Sequence, residues 1–123
     1  MNVNQKLNAA LTGIVNGNIW PLVKPASEDP DVFIVYNSQG DYSDRGDNQD
    51  LEWEHNMQVH WYAKGIVDYI EARNQIRQAL RQAGFLVTGM PYLTYESTNG
   101  ESSNGTQTGY THMTITCIID EEG

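Results

Sequence analysis

With 123 residues the chain has the size of one domain, and a 39% apolar share with seven Tyr, three Trp and two Phe supplies enough bulk for a single core. Sixteen acidic residues against seven basic ones leave a net charge of −9, which disfavours a nucleic-acid grip through phosphate neutralisation and favours solubility. No window approaches the roughly 18 consecutive apolar residues of a membrane span, the N-terminus does not read as a signal peptide, and the lone Cys117 excludes an intrachain disulfide, so the expected place of synthesis is a reducing cytoplasm.

In chain order, Val3, Leu7, Ala10, Leu11 and Ile14 fall at helical spacing and predict a helix over 4–15, capped by Asn2 or Asn4 and stopped by Asn16-Gly17-Asn18. Ile19 to Val23 is apolar, but Pro21 and Pro25 keep it from being a central strand. Val32 to Tyr36 is β-branched and aromatic, which predicts a strand. A polar loop is expected over 37–50. Leu51 to Tyr62 alternates strictly enough to predict a long strand, with Leu51, Trp53, Met57, Val59 and Trp61 on the buried face.

Asp68 and Glu71 stand at capping-box spacing and open a helix that runs to Ala83. Its apolar stripe is Tyr69, Ala72, Ile76, Ala79, Leu80 and Ala83, and Gly84 suits the stop. Phe85–Val87 and Tyr92–Tyr95 predict a strand with a bulge or bend at Gly89-Met90-Pro91. A mobile loop is expected over 97–108. Tyr110 to Ile119 alternates again, with Met113, Ile115, Cys117 and Ile119 on one face and a frayed tail beyond. The expected fold is a single α+β domain: an antiparallel sheet of about four strands, with two helices packed on one face.

The residues offer several candidate chemistries, and each has a plainer reading. Asp41 to Glu52 partly mimics a calcium loop, with Gly46 and Glu52 at the turn and bidentate positions. Arg45 stands where an oxygen ligand is needed, and strands rather than helices flank the loop, so a solvated acidic hairpin is the expectation. Arg45-Gly46-Asp47 is a chance tripeptide. His55 and His60 have opposite parity on one strand and cannot share a metal. His60 and His112 become neighbours if the two long strands pair, but no third ligand has an obvious register. Glu52 and Glu54 share a wet strand face, where ordinary carboxylates are expected. Cys117 reads as a buried, inert thiol. No nucleophile elbow or phosphate-binding glycine loop is present, and neither catalytic residue, metal nor cofactor is expected.

One charge pattern carries more weight than these. Arg73, Arg77 and Arg81 recur every four residues and form a row along the second helix, while Asp41, Asp44, Asp47 and Asp50 concentrate acid in one loop. Such a row is a solvated helix face, one half of a contact with a neighbouring copy, or a nucleic-acid patch, which the net charge counts against; a head-to-tail contact closes into a ring when its rotation allows.

In the order and spacing of its elements, the chain resembles the tail-terminator and tail-completion proteins of long-tailed bacteriophages, including head–tail joining proteins of that fold. The likeness lies in the N-terminal helix, the Ile19-Trp20-Pro21 segment leading to Pro30 and the strand Val32 to Tyr36. It continues through the strand Trp53 to Trp61, the helix Asp68 to Ala83 with Gly84-Phe85, and the closing strand Tyr110 to Ile119. The resemblance implies a structural virion protein, not an enzyme, assembled in the host cytoplasm. It also implies a ring, commonly hexameric, that caps the tail tube, meets a head-completion or connector protein, and lets DNA pass as cargo. The long polar segment 97–108 departs from that pattern. The alternative is a small ligand- or peptide-binding accessory domain that uses the sheet face left open by the helices.

Overall fold

The computed structural model describes residues 2–43, 52–97 and 109–122. Helix α1 spans Val3–Leu11 and starts at Asn2, whose side chain accepts from the Gln5 N–H at 2.8 Å while the Gln5 side chain accepts from the Asn2 N–H at 2.9 Å. That reciprocal pair satisfies two of the orphan donors at the helix start. The helix tightens into a 3-10 turn over Thr12–Val15 and ends at Asn16, which takes a left-handed φ of 54°.

Strand β1 is Ile19–Pro21, β2 is Val32–Ser43 and β3 is Glu52–Lys64; helix α2 is Ile70–Gln82, followed by β4, Leu86–Ser97, and β5, Gly109–Glu122. These form one five-stranded sheet in the order β1-β2-β3-β5-β4. The α+β class and the two helices agree with the sequence reading, but the sheet is mixed, because β1 runs parallel to β2 and all other neighbours are antiparallel. The segment 22–31 carries the chain back across the sheet end instead of reversing it as a hairpin. Pro21 is tolerated because β1 lies at the edge, where a missing N–H costs no ladder bond.

Pairing overrides local composition at three boundaries. β2 was expected to end at Tyr36 but continues to Ser43 along β3, through an irregularity between Ser38 and Gly40. The first part of the expected loop 37–50 is therefore strand. β5 continues past Ile119 because Asp120, Glu121 and Glu122 pair with Glu54, Trp53 and Glu52, so the expected fraying of the tail is replaced by strand as far as Glu122. β4 is continuous, and the expected irregularity falls between Thr88 and Tyr92, with Gly89 at a φ of 69°.

The ends of α2 also differ in kind. The helix opens at Ile70, not Asp68; the Asp68 carboxylate accepts from the Ile70 N–H at 3.0 Å, and the cap position, Tyr69, makes no side-chain cap bond. The Asp68–Glu71 capping box does not form. At the other end, Gly84 at a φ of 96° lets the Phe85 N–H reach the Leu80 carbonyl at 2.9 Å and the Gly84 N–H reach the Arg81 carbonyl at 3.0 Å. This is the two-bond left-handed termination that glycine favours.

Both helices lie on one sheet face, as expected. Val3, Leu7 and Leu11 of α1 and Ile76 and Leu80 of α2 pack on Ile34 and Tyr36 of β2, Met57, Val59, Trp61 and Ala63 of β3, and Met113, Ile115, Cys117 and Ile119 of β5. Each fully buried aliphatic side chain there contributes about 1.5–3 kcal/mol of transfer free energy. The odd positions of β3 and β5 build this core because the side-chain period of a strand is two.

Candidate functional site

The sheet face away from the helices carries a connected polar array. Cross-strand register sets Phe33 beside Tyr62, and Tyr62 beside His112. The rings continue the ladder: Phe33 stacks on Tyr62 at 4.8 Å between centroids and Tyr62 on His112 at 4.3 Å, while Trp20 meets Phe33 edge-on at 6.2 Å. Tyr110 closes edge-on against both Phe33 and Tyr62. The even positions of β3 were expected to be wet, yet Phe33 and Val35 on this side are buried and His60 and Tyr62 are half-buried.

Within that setting lies a chain of hydrogen bonds. His60 Nδ1 is 2.9 Å from His112 Nε2, and the Thr114 hydroxyl is 3.2 Å from each of those nitrogens. The outer nitrogen of His112 meets the Glu96 carboxylate in a short contact. The outer nitrogen of His60 lies 3.1 Å from the Asn37 side-chain oxygen and 3.2 Å from that of Gln58. Burial, then the nearby His112, hold His60 below its ordinary value, with Glu96 pulling the other way. Burial, followed by the charge of Glu96, raises Tyr62. His60 and His112 are thus neighbours, as strand pairing implied, while His55 at an odd position belongs to the opposite face. Among the described residues, no group of three or more His, Cys, Asp or Glu could hold a metal ion.

Sequence reasoning missed the partners of this pair. Glu96 reaches it only because the Thr88–Tyr92 irregularity shifts β4 so that Glu96 lies beside Tyr110 and Thr94 beside His112. The threonines Thr88, Thr114 and Thr116 line the same face, and Thr88 and Thr116 hydroxyls stand 3.0 Å apart.

The arginine row is partly engaged within its own helix. Arg73 donates to the Asn74 side-chain oxygen at 3.2 Å and lies 6.0 Å from the centre of the Tyr69 ring. Arg77 is half-buried, its Nε enclosed without a hydrogen-bond partner among the described residues, and Arg81 is exposed. Of the acids offered as their counterparts, Asp41 belongs to β2, in the half of the sheet away from β4. Asp44, Asp47 and Asp50 lie outside the described residues, as do Arg45-Gly46-Asp47, most of the calcium-like loop and the segment 98–108.

The two sheet edges have their own character. β1 ends in a three-residue turn in which the Val23 N–H reaches the Pro21 carbonyl at 2.7 Å, and Leu22 at its centre takes a φ of 70°. Leu22 and Val23 are exposed there, and at the opposite edge Leu86, Met90, Tyr92 and Leu93 of β4 are exposed as well. Beside Leu93, Ile66, Val67, Tyr69, Tyr95 and Thr111 line a concave site of about 540 Å³. Its floor is fastened by Thr111, whose hydroxyl donates to the Gly65 carbonyl at 2.6 Å and accepts from the Val67 N–H at 3.0 Å. No described helix is long and apolar enough to cross a membrane.

Compared with protein-family models and with curated proteins, the chain matches none.

Proposed function

We propose that the chain is a structural virion subunit that assembles as a ring at the head-proximal end of a phage tail, acting in tail termination, tail completion or head–tail joining. Exposed apolar side chains at both edges of one sheet are the observation that carries the assembly part of this reading. Leu22 is 76% exposed at one edge and Met90 is 89% exposed at the other. Leu22 also occupies the left-handed region, which costs an ordinary residue on the order of 1–3 kcal/mol and is maintained where a turn serves a purpose. Two different apolar edges are suited to a head-to-tail contact, and contacts of that kind close into rings or propagate as filaments. The outer edge of β4, which pairs with no further strand among the described residues, adds hydrogen-bonding groups that a neighbouring strand can take up.

The placement at a tail rests on the resemblance in element order and spacing. In this role no covalent bond is made or broken. Copies of the chain bury surface against one another and against the tube protein and a connector, the closed ring blocks further tube addition, and DNA passes without being gripped. Purified protein mixed with tail tubes is expected to label one tube end in electron micrographs. Virions assembled without this product, yet with tails of normal length joined to full heads, would overturn the proposal.

The concave site beside Leu93 favours a second reading, a ligand- or peptide-binding accessory domain, since about 540 Å³ lies within the size range of small-molecule sites. A chain that stays monomeric at high concentration and without tubes attached, with saturable binding of an apolar peptide at Leu93 and Tyr95, decides for it.

A further inference from the structure

The two histidines of the open sheet face present a problem of protons. Glu96 carboxylate oxygens only accept, so the His112 nitrogen that meets them carries hydrogen. Asn37 turns its oxygen to His60 because its own amide N–H donates to the Ser38 carbonyl at 3.4 Å, and the Gln58 oxygen meets the same ring nitrogen. The outer nitrogen of His60 therefore carries hydrogen as well. In neutral rings both inner nitrogens are then bare lone pairs, and they face each other at 2.9 Å. The Thr114 hydroxyl is equidistant from both at 3.2 Å and has one hydrogen, so it can answer one lone pair and not the other. A cation between the rings satisfies both.

We propose that His60 Nδ1 and His112 Nε2 form a two-nitrogen site for a divalent late transition-metal ion, with the Thr114 oxygen as a weaker third donor and water completing the shell. Imidazole nitrogens suit zinc, copper and nickel. A tetrahedral ion with bonds near 2.05 Å holds two nitrogens about 3.3 Å apart, so the pair needs to part by only a few tenths of an ångström. The outer contacts are those that metal-binding histidines require: one ring is oriented by a carboxylate, the other by amide carbonyls. Glu96 is thereby an orienting residue and not a ligand, in keeping with the lack of a three-ligand cluster among the described residues. Two protein nitrogens make an open, exchangeable site, unlike the closed four-ligand sites that hold a fold together. The net charge of −9 raises the local concentration of cations around it.

The test is calorimetric titration of the chelator-treated, full-length protein with Zn2+, paired with electron paramagnetic resonance of the Cu2+ form. One ion per chain is expected, with nitrogen hyperfine structure from two imidazoles. His112→Asn and His60→Gln should each weaken binding at least about tenfold, and Glu96→Gln about 10–100-fold with an unchanged circular dichroism spectrum. His55→Asn, on the opposite sheet face, should leave affinity as it was. Absence of saturable binding below about 1 mM would discard the site and leave a shared proton between the rings. Binding that survives in the His60→Gln/His112→Asn double variant, or a copper spectrum without imidazole nitrogen, would likewise refute it, and the spectrum needs no variant to fold.

Discussion

The tertiary structure alters the chemistry of Cys117. It lies in β5 among the core side chains, and burial pushes its thiol from 9.0 up to about 12. A thiol whose folded value is raised favours the protonated, folded form. Its contribution to stability is fully present below the unfolded value of 9.0 and is lost as pH rises toward about 12. Native protein at pH 8 is therefore expected to react with a thiol-specific disulfide reagent only at the rate of unfolding, and promptly in denaturant. Fast stoichiometric labelling of the native chain would show that Cys117 is reached from solvent. The burial of the residue was legible from its place in an alternating run; the size of the shift was not, because it depends on the helices that cover that face.

At the level of elements, the periodic segments were readable, and so were the cap at Asn2 and the stop at Asn16, but the ends of β2 and β5 were not. The stripes Leu7–Leu11 and Ile76–Leu80 and the odd positions of β3 and β5 are what period alone dictates. Boundaries depend on partners: Asn37 to Ser43 has too little apolar character to announce a strand, and becomes one because β3 offers a ladder beside it. At the end of α2, Gly84 announces the stop and also makes it. A Cβ added at Gly84 would meet only Ile119 Cδ1 at 3.8 Å, an ordinary contact, while the φ of 96° disfavours any L side chain. Gly84→Ala is therefore expected to cost about 1–2 kcal/mol from backbone conformation alone, measured as a lower urea midpoint with an unchanged slope. A neutral result would mean that the helix end relaxes without the left-handed turn.

For the molecule as a whole, the two apolar edges are better placed for the proposed assembly than the arginine row is. Arg73 is bonded within its helix and Arg77 is half-buried, which leaves Arg81 the most accessible of the three. If the proposed assembly holds, charges at the β4 edge, as in Met90→Lys with Leu93→Asp, are expected to abolish self-association and tube-end labelling. Monomer stability should change little through Met90, which is 89% exposed, and more through Leu93, which is 41% exposed and lines the concave site. Sedimentation velocity across a concentration series checks this, and an unchanged oligomer would remove β4 from the interface. Opposite-face polar chemistry belongs to this scale too. His60 and His112 lie 52 residues apart in the chain and meet only through the β3–β5 register.

By itself, the sequence determined the α+β class, the single core, the helix stripes, the buried faces of the two long strands, the irregularity at Gly89 and the burial of Cys117. Each of these follows from residue type and period over a short stretch. The fifth strand and its parallel direction, the extension of β2 and β5, the joining of Glu96 to the histidine pair and the exposure of both sheet edges were decided by tertiary structure alone. Strand order and register are set by contacts between distant segments, and no local pattern of side chains encodes which strand will lie beside which.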